Sequence, residues 1–271
     1  RPLCQCLAAN YIEGIAGILN GTTNFILTMM IEKGMSFDEA LKIAQEKGYA
    51  EKDPTADVEG HDACRKVCIL ASLAFGKHVY PNQVETEGIT NITLEDVSYI
   101  ENAGGVIKLL GQIKYINDNE IAAFVSPAVV YNGSQLASVK DVFNAILVRG
   151  DAVGDVCFYG PGAGKLPTAS AVVADIIDCA KHSERKKIFG WGAGNEDYVV
   201  DYKERIEMPF YVRAKATPAE INAKFSDVKF LSRKGQPSDE VAFITDIMTE
   251  NKLNKKLDGI NVINTIKVTN Y

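Results

Sequence analysis

Asp62 and Lys66 are the two residues of this sequence best placed to do chemistry together. They lie four positions apart at the predicted start of a helix, so they share one helix face, where the carboxylate can hold the lysine ammonium in place. A lysine held in this way can exchange a proton with a hydroxyl group of a bound molecule. Taken alone, the pair is more typical of a surface ion pair that contributes about 0.3–0.5 kcal/mol.

The residues just before this pair favour a functional role. Glu51 and Asp57 supply two further carboxylates, and Tyr49 supplies an aromatic ring, all within a short stretch. Together with Asp62 and Lys66, they can hold a zwitterionic amino acid by its ammonium group and place the lysine at a reacting oxygen. The stretch is therefore a candidate site for a small amino acid.

The chain that carries these residues is predicted to be an irregular loop between two helices. Gly48 is a natural end for the amphipathic helix that begins with a capping box at Ser36. Pro54 disfavours helical geometry at the residue before it, and Gly60 interrupts the chain again. From Asp62 an apolar helix can run to about residue 75. An acidic loop held between two helices places polar groups on a rigid scaffold.

A second candidate is the turn at Asn20, Gly21 and Thr22, which follows a buried strand predicted over residues 11–19. We expect Thr22 or Thr23 to cap the helix that comes next. In isolation this pattern is typical of a turn and a helix cap. Beside an acidic loop, the first backbone N–H groups of the helix would suit a substrate carboxylate.

A glycine-rich loop at residues 160–164 reads GPGAG. It is not a P-loop, because that motif would need Gly in place of Tyr159 and Ser or Thr in place of Leu166. It is not a dinucleotide-binding fingerprint either, because no βαβ unit surrounds it. A flexible turn and a close backbone approach to a cofactor or substrate both fit the pattern. The helix predicted over residues 167–181 is strongly apolar, so we expect it to be buried.

The overall composition excludes several classes of partner. A net charge of −6 without a Lys/Arg stripe argues against a nucleic-acid surface. No apolar run reaches the ~20 residues of a membrane helix, and no secretory leader is visible. The six cysteines form no C-x-x-C pair, so we expect free thiols, a reducing cytoplasm and no metal site.

The chain between these motifs predicts an α+β fold, with a mixed sheet covered by helices. The strand predicted over residues 106–116 alternates poorly and could be partly helical, and residues 134–142 are predicted to form a short helix. Residues 182–195 are predicted to form a linker. The strands of this part are predicted, from their β-branched residues and the turns between them, over residues 106–116, 120–130, 144–149 and 152–158.

Beyond the linker the pattern changes to strand, helix, strand, strand, helix and strand over residues 210–269. This β-α-β-β-α-β order is the ferredoxin-like arrangement. We therefore expect two units: residues 1–195, which hold the substrate site and end in the linker, and residues 207–271, which form a small domain.

Three spaced motifs of this chain resemble those of the homoserine dehydrogenase family. Residues 44–66 read A-x3-G-Y-A-x2-D-P-x2-D-V-x-G-x-D-x3-K, residues 17–24 read GILNGTTN, and the GPGAG loop is followed by PTAS at 167–170. The motifs come in the family's order and cover most of residues 1–185. The resemblance implies reversible hydride transfer between homoserine and aspartate semialdehyde with NADP or NAD, in threonine and methionine biosynthesis.

The resemblance also implies roles for single residues. Lys66 is similar to the lysine that exchanges a proton with the substrate hydroxyl, and Glu51 and Asp62 are similar to its acidic partners. A second catalytic lysine and a sodium site belong, in the family, to segments upstream of Arg1. The family's substrate site would further be lined by Asp57, Tyr49, Gly21 and Thr22, with cofactor contacts at Gly162 and Gly164.

The family's nucleotide-binding domain precedes the GILNGTTN motif, and this chain shows no such domain and no initiator Met. We therefore expect the substrate-binding and C-terminal part of a longer enzyme, homodimeric through its sheet and inactive alone. The alternative is a stand-alone module that keeps the site but acts as an amino-acid-binding or dimerising regulator. An upstream coding stretch for a nucleotide-binding domain would exclude that alternative.

The C-terminal unit resembles, in element order and position, the ACT regulatory domain attached to many homoserine dehydrogenases. The D-x-P-G turn of that domain reads ATPA here, at residues 216–219, and the first helix is predicted to be short. Both amino-acid binding and a docking or dimerising role are therefore open for this unit.

Overall fold

The computed structural model describes residues 2–184 and 190–271. Its helices are α1 (Pro2–Gln5), α2 (Gly21–Lys33), α3 (Phe37–Glu46), α4 (Thr55–Val58), α5 (His61–Phe75), α6 (Leu94–Asn102), α7 (Lys165–Lys181), α8 (Tyr202–Arg205), α9 (Pro218–Lys224) and α10 (Glu250–Leu257). Its strands are β1 (Ile12–Ile18), β2 (Glu85–Thr86), β3 (Gly105–Asn117), β4 (Glu120–Tyr131), β5 (Phe143–Gly150), β6 (Gly154–Pro161), β7 (Glu207–Met208), β8 (Phe210–Lys215), β9 (Val228–Leu231), β10 (Glu240–Thr245), β11 (Met248–Thr249) and β12 (Asn261–Val268).

Ten strands of the described residues form one sheet, in the order β6-β5-β1-β3-β4-β12-β8-β10-β9, with β2 also beside β4. The pairings of β4 with β2 and with β12 are parallel and the others are antiparallel, so the sheet is mixed. The short strands β7 and β11 pair with each other outside it. This confirms the predicted fold class, a mixed sheet with helices packed on it.

Helices α2, α5 and α6 cover one face of the β1–β3–β4 region. Successive strand side chains point to opposite faces, so Ile107 and Leu109 of β3 pack in the core beneath these helices. Leu110 and Ala128 pack in a smaller cluster on the other face. Helix α5 begins directly after Gly60 and ends directly before Gly76. Both glycines adopt the left-handed conformation, and both were predicted to interrupt the helix.

The C-terminal elements follow the predicted β-α-β-β-α-β order, as β8, α9, β9, β10, α10 and β12. Their four strands lie in the order β12-β8-β10-β9, and α9 and α10 pack on one face through Ile221 and Leu253. Strand β12 also pairs with β4, with Lys267 opposite Ala128, so the sheet runs without a break through both predicted units. The division into residues 1–195 and 207–271 stays a prediction.

The predicted helix over residues 134–142 is wrong, because this segment forms turns. The segment makes isolated turn bonds, such as Ala137 N to the Ser134 carbonyl oxygen at 3.2 Å, and a side chain of a neighbouring helix bonds other carbonyls there. Asn24 of α2 donates from Nδ2 to the carbonyl oxygens of Val139, Asp141 and Phe143, at 3.3, 2.9 and 3.3 Å. The segment that could be partly helical, residues 106–116, is strand throughout.

The prediction that the apolar helix after the glycine loop is buried is also wrong. Helix α7 starts at Lys165, follows the edge strand β6, and has no buried residue. Its large apolar residues are between 48% and 77% exposed. Apolar composition predicts that a helix has a contact surface, but the position of α7 outside the α2–α5–α6 layer leaves that surface open. These residues are Leu166, Val172, Val173, Ile176 and Ile177.

The predicted linker, residues 182–195, lies partly outside the described residues, at 185–189. Its last part is attached to the body beyond α5. Trp191 donates from its indole nitrogen to His78 Nδ1 at 3.0 Å, and His78 N donates to the Gly192 carbonyl oxygen at 3.0 Å. Gly194 lies so close to the His78 carbonyl oxygen that a Cβ there would be 2.0 Å from it.

Candidate functional site

A cavity of about 620 Å³ opens where the start of α2, the loop before α5 and the glycine loop before α7 meet. One wall is acidic and comes from residues 48–66, and the other is mostly neutral. The cavity is lined by Asn20, Gly21, Thr22, Gly48, Tyr49, Glu51, Asp53, Ala56, Asp57, Asp62, Arg65, Lys66, Val142, Asn144, Gly162, Ala163 and Gly164.

The turn between β1 and α2 forms the floor of the cavity. The cap of α2 is Asn20, whose Oδ1 accepts a hydrogen bond from Thr23 N at 2.9 Å, so the prediction of a Thr22 or Thr23 cap is wrong. Asn is as good a cap as Thr and sits one residue before the helix begins. A Cβ on Gly21 would lie 2.7 Å from the Val142 carbonyl oxygen, so only glycine fits this close approach.

The acidic wall is fixed to α2 by Tyr49. Thr22 donates from Oγ1 to the Tyr49 carbonyl oxygen at 2.7 Å, and the Tyr49 ring packs edge-on against Phe25 with centroids 5.1 Å apart. The next residues are held from the other side, because Gln45 donates from Nε2 to the Glu51 carbonyl oxygen at 3.1 Å. The Glu51 side chain itself is exposed and is left available to a ligand.

Lys66 is held at the centre of the cavity by two partners. Its ammonium donates to Asp62 Oδ2 at 2.7 Å and to the Leu19 carbonyl oxygen at 2.8 Å. A lysine ammonium carries three N–H donors, so these two bonds aim the group and leave one donor for a ligand. The side chains of Lys66 and Asp62 are 45% and 33% exposed, so a ligand can reach both.

Asp57 joins the same cluster through Asn20. Asn20 donates from Nδ2 to Asp57 Oδ1 at 2.7 Å and to Asp62 Oδ2 at 2.9 Å. Asp57 comes from the short helix α4, and Asp62 from the first turn of α5. One amide group therefore connects the acidic loop, the lysine-bearing helix and the start of α2.

The opposite wall is neutral. Asn144 of β5 lies against the glycine loop, where a Cβ on Gly162 would be 2.6 to 2.8 Å from the Asn144 carboxamide. Gly164 has a φ of 112°, which side chains rarely adopt, and it precedes the first residue of α7. The Asn24 bonds to the segment before β5 hold Val142 in this wall. A ligand there meets backbone and amide groups rather than charges.

Burial and hydrogen bonding shift some pKa values near the site. Hydrogen bonds from the Thr55 hydroxyl and backbone lower the pKa of Asp53. Behind the neutral wall, burial lowers the pKa of Lys108 to about 8. Lys108 donates to Asn24 Oδ1 at 3.1 Å and to the Val139 carbonyl oxygen, so its ammonium faces neutral acceptors.

The thiols of the lysine-bearing helix are buried in the core side of α5. A hydrogen bond from Cys68 lowers the pKa of Cys64 to about 6, and the same bond raises the pKa of Cys68. All six cysteines of the chain are free thiols. Within residues 2–184 and 190–271, no group of three or more His, Cys, Asp or Glu side chains is arranged to hold a metal ion.

The structure brings all of the predicted site residues to this one cavity. Sequence reasoning missed the bridging amide of Asn20, as well as Arg65 and Asn144. Asn20 was itself part of the candidate turn, but the pattern indicated only a turn and a helix cap. No local pattern marks Asn144, which reaches the cavity only because β5 lies beside β6 and its glycine loop.

Comparisons with known proteins agree on one family. A family model described as homoserine dehydrogenase matches residues 1–177. The homoserine dehydrogenase of Synechocystis is 49% identical over 181 residues, which is 66% of this chain and 42% of that protein. The chain thus spans less than half the length of this curated relative.

Solved structures extend the likeness beyond the family match. The homoserine dehydrogenase from Thiobacillus denitrificans has a TM-score of 0.84 and 36% identity, over 99% of this chain and 66% of that chain. A mutant of a hyperthermophilic archaeal homoserine dehydrogenase, solved in complex with NADPH, has a TM-score of 0.54 and 30% identity, over 66% of this chain and 51% of that chain. Among the described residues, no helix has the length and apolar character needed to span a membrane.

Proposed function

Because the chain belongs to the homoserine dehydrogenase family, we propose that it is the substrate-binding part of an oxidoreductase that interconverts L-homoserine and L-aspartate 4-semialdehyde with NADP or NAD. The observation that carries this proposal is the ammonium of Lys66, aimed into the cavity beside three carboxylates and the start of a helix. The reaction belongs to threonine and methionine biosynthesis in the cytoplasm.

The acidic wall and the floor of the cavity suit the two charged ends of an amino acid. Glu51 and Asp57 bind the substrate ammonium, since both carboxylates line the acidic wall. The first N–H groups of α2, at Gly21 and Thr22, bind the substrate carboxylate, because the first turn of a helix leaves its N–H groups without partners inside the helix. The substrate side chain then points across the cavity.

Lys66 acts on the substrate hydroxyl. When homoserine is oxidised, its hydroxyl proton passes to Lys66 in its neutral amine form as the neighbouring carbon loses a hydride, and Lys66 becomes the ammonium. Asp62 and the Leu19 carbonyl hold Lys66 in one orientation for this exchange. In the reverse direction Lys66 returns the proton to the oxygen of the reduced aldehyde. Tyr49 closes the side of the pocket beside Thr22.

The nicotinamide cofactor supplies or accepts the hydride. Gly162 and Gly164 fit a cofactor at the edge of the cavity, because neither has a side chain and both line the space beside Asn144. Among the described residues we assign only these two glycines to the cofactor. NADPH in the archaeal structure supports the same cofactor class for this chain.

Most of the cofactor's contacts therefore come from a part of the enzyme outside these 271 residues. This agrees with the chain's coverage of 42% of the Synechocystis relative. The exposed apolar side chains of α7 support the same proposal. Helix α7 directly follows the glycine loop, and a further part of the enzyme would bury these side chains. The enzyme is a homodimer that pairs through its sheet. Residues 207–271 form its ACT-like domain, which either docks onto another surface or binds an amino acid.

Calorimetry with homoserine tests the substrate site directly on this chain. We expect binding to the wild type, and binding at least about tenfold weaker in Lys66→Ala and Asp62→Asn, because each removes a charged contact near the ligand. Lys215→Ala is the matched control, since Lys215 makes an exposed ion pair with Asp239 in the C-terminal unit. Equal affinity in all four proteins would contradict the assignment of the cavity.

Turnover separates the two candidate functions. Joined to a nucleotide-binding part of the family, the wild-type chain should oxidise homoserine with NADP or NAD, and the Lys66→Ala variant should not. Homoserine binding without turnover in that joined protein would instead support the stand-alone regulatory module. Turnover by the 271-residue chain alone would contradict the proposal that the cofactor is bound mainly elsewhere.

A further inference from the structure

Asn20 occupies an unusual position at the candidate site. It is only 6% exposed, yet its carboxamide touches three different elements. Its Oδ1 accepts from Thr23 N at 2.9 Å and from Thr23 Oγ1 at 3.0 Å, and its Nδ2 donates to Asp57 and to Asp62. A helix cap needs only the first of these bonds.

The orientation of this carboxamide is determined by its partners. The backbone N–H of Thr23 can only donate, so it must face the amide oxygen. Ionised carboxylates can only accept, so Asp57 and Asp62 must face the amide nitrogen. An Asn20 turned by 180° would place its nitrogen against an N–H and its oxygen against two carboxylates.

The two carboxylates on one amide nitrogen carry like charges and would separate without a shared donor. The remaining charged groups of the cavity do not replace it, because Lys66 bonds to Asp62 and no described bond joins it to Asp57. Glu51 and Asp53 of the loop add to the negative charge of this wall, and Arg65 lines its edge.

We propose that Asn20 is a positioning residue that holds Asp57 and Asp62 together and thereby fixes the Lys66 ammonium in the cavity. Its effect on substrate rests on the proposed function, but its effect on the two carboxylates does not. Asp62 is the shared member, since it bonds both Asn20 and Lys66 through Oδ2. Asn20 thus acts on substrate only through these side chains.

Asn20→Asp separates this role from helix capping. Aspartate caps a helix as well as asparagine does, and its charge suits the positive end of the helix. It cannot donate to Asp57 and Asp62, and it places a third carboxylate beside them. We expect the Tm of the chain to fall by about 5 °C, for the loss of two hydrogen bonds to charged groups.

The double variant Asn20→Asp/Asp57→Asn exchanges the amide and the carboxylate. The new amide at position 57 can donate to its neighbours again, so we expect more than half of the lost Tm to return. Ser36→Ala is the control, because it removes a helix cap on α3 that is outside the cavity. A cap-only role for Asn20 predicts an unchanged Tm in Asn20→Asp and no rescue in the double variant, and either result would overturn the proposal.

Homoserine calorimetry gives the functional readout. Asn20→Ser keeps a capping oxygen, adds no charge and removes the shared donor, so we expect affinity to fall about tenfold, while Ser36→Ala binds as the wild type does. Unchanged affinity in Asn20→Ser, with a wild type that binds, would refute the functional half of the inference. If the wild type fails to bind while the Tm pattern holds, the proposed function fails and the positioning role stands.

Discussion

Two clusters of acidic and basic side chains in this molecule have similar composition and opposite surroundings. The cavity cluster, formed by Asn20, Asp57, Asp62 and Lys66, is open to ligands. The buried cluster lies where α6 meets the C-terminal strands, and it is formed by Asp96, Tyr99, Tyr211, Arg213, Arg233, Glu240 and Asn264.

In the buried cluster several hydrogen bonds join members of the cluster to one another. Asp96 is fully buried and accepts from Tyr211 at 3.0 Å and from Asn264 at 2.9 Å, and Arg213 Nε lies 2.9 Å from it. Glu240 accepts from Tyr99 at 2.9 Å on the same interface. These bonds join α6 to β8, β10 and β12, so they attach the C-terminal unit to the helix layer that surrounds the cavity.

The difference shows how one type of interaction can serve stability or chemistry. In the buried cluster each charge was removed from water, so loss of one partner leaves another charge buried and unpaired. In the cavity cluster Asp62 and Lys66 keep contact with solvent, so their ion pair adds little stability, but Lys66 keeps a donor for a ligand. The following predictions test this contrast.

The largest expected effect is that of Asp96→Ala. It leaves Arg213 buried without its closest carboxylate, and the free energy of unfolding should fall by about 3–5 kcal/mol. Asp62→Ala is the matched change in the cavity cluster and should cost only about 1–2 kcal/mol, because the Asp62–Lys66 pair is partly exposed and Asn20 keeps its bond to Asp57. Urea unfolding of the three proteins measures both losses, and equal losses would remove the contrast.

A smaller effect is expected from Lys108, a buried cation whose described hydrogen bonds go to Asn24 Oδ1 and the Val139 carbonyl oxygen. Burial lowers its pKa to about 8 in the folded chain, with Lys140 acting in the same direction and Glu32 and Asp141 against it. Between pH 8 and 10.5 the unfolded chain binds the proton and the folded chain does not, so stability rises with pH there and is lost as pH falls through 8.

The size of this effect is about 3 kcal/mol, because the pKa of Lys108 falls from its usual value of 10.5 to about 8. Lys108→Met fills the same space without a titrating group and serves as the reference. Denaturant unfolding at pH 7.5, 9 and 10.5 should show the wild type gaining stability relative to Lys108→Met across that range. A constant difference between the two proteins would mean that Lys108 is solvated or paired.

The smallest expected effect comes from removing a single tyrosine hydroxyl group, at Tyr211 in the buried cluster and at Tyr49 in the cavity wall. Tyr211→Phe removes one hydrogen bond to the buried Asp96 and should cost about 2 kcal/mol. Tyr49→Phe should cost less than about 0.5 kcal/mol, because Tyr49 is 43% exposed and is held through its ring and its backbone carbonyl. Thermal unfolding compares the pair, and a larger loss in Tyr49→Phe would contradict the comparison.

Local features of the fold were predictable wherever their causes lie within a few residues. The capping box at Ser36, for example, needs only Glu39 three residues later, and both of its bonds are present. The helix His61–Phe75 and the β-α-β-β-α-β order follow from periodicity and glycine breaks in the same way. The candidate site was predicted where its residues are close in sequence, as Glu51, Asp57, Asp62 and Lys66 are.

Features that depend on distant partners were not predictable. Residues 134–142 form turns instead of the predicted helix, and they accept hydrogen bonds from the Asn24 side chain, which is more than 100 positions away in sequence. The exposure of α7 and the pairing of β12 with β4 are also decided by which surfaces meet. Asn144 reaches the cavity through its neighbour in the sheet.

The sequence by itself therefore determined which residues are candidates for the chemistry and which local elements present them, because helix caps, glycine breaks and motif spacing act over a few residues. Only the tertiary structure decided that Asn20 bridges Asp57 and Asp62, although they are 37 and 42 positions away. The physical reason is that a buried amide must satisfy its hydrogen bonds with whatever folding brings next to it, and no local pattern records that neighbour.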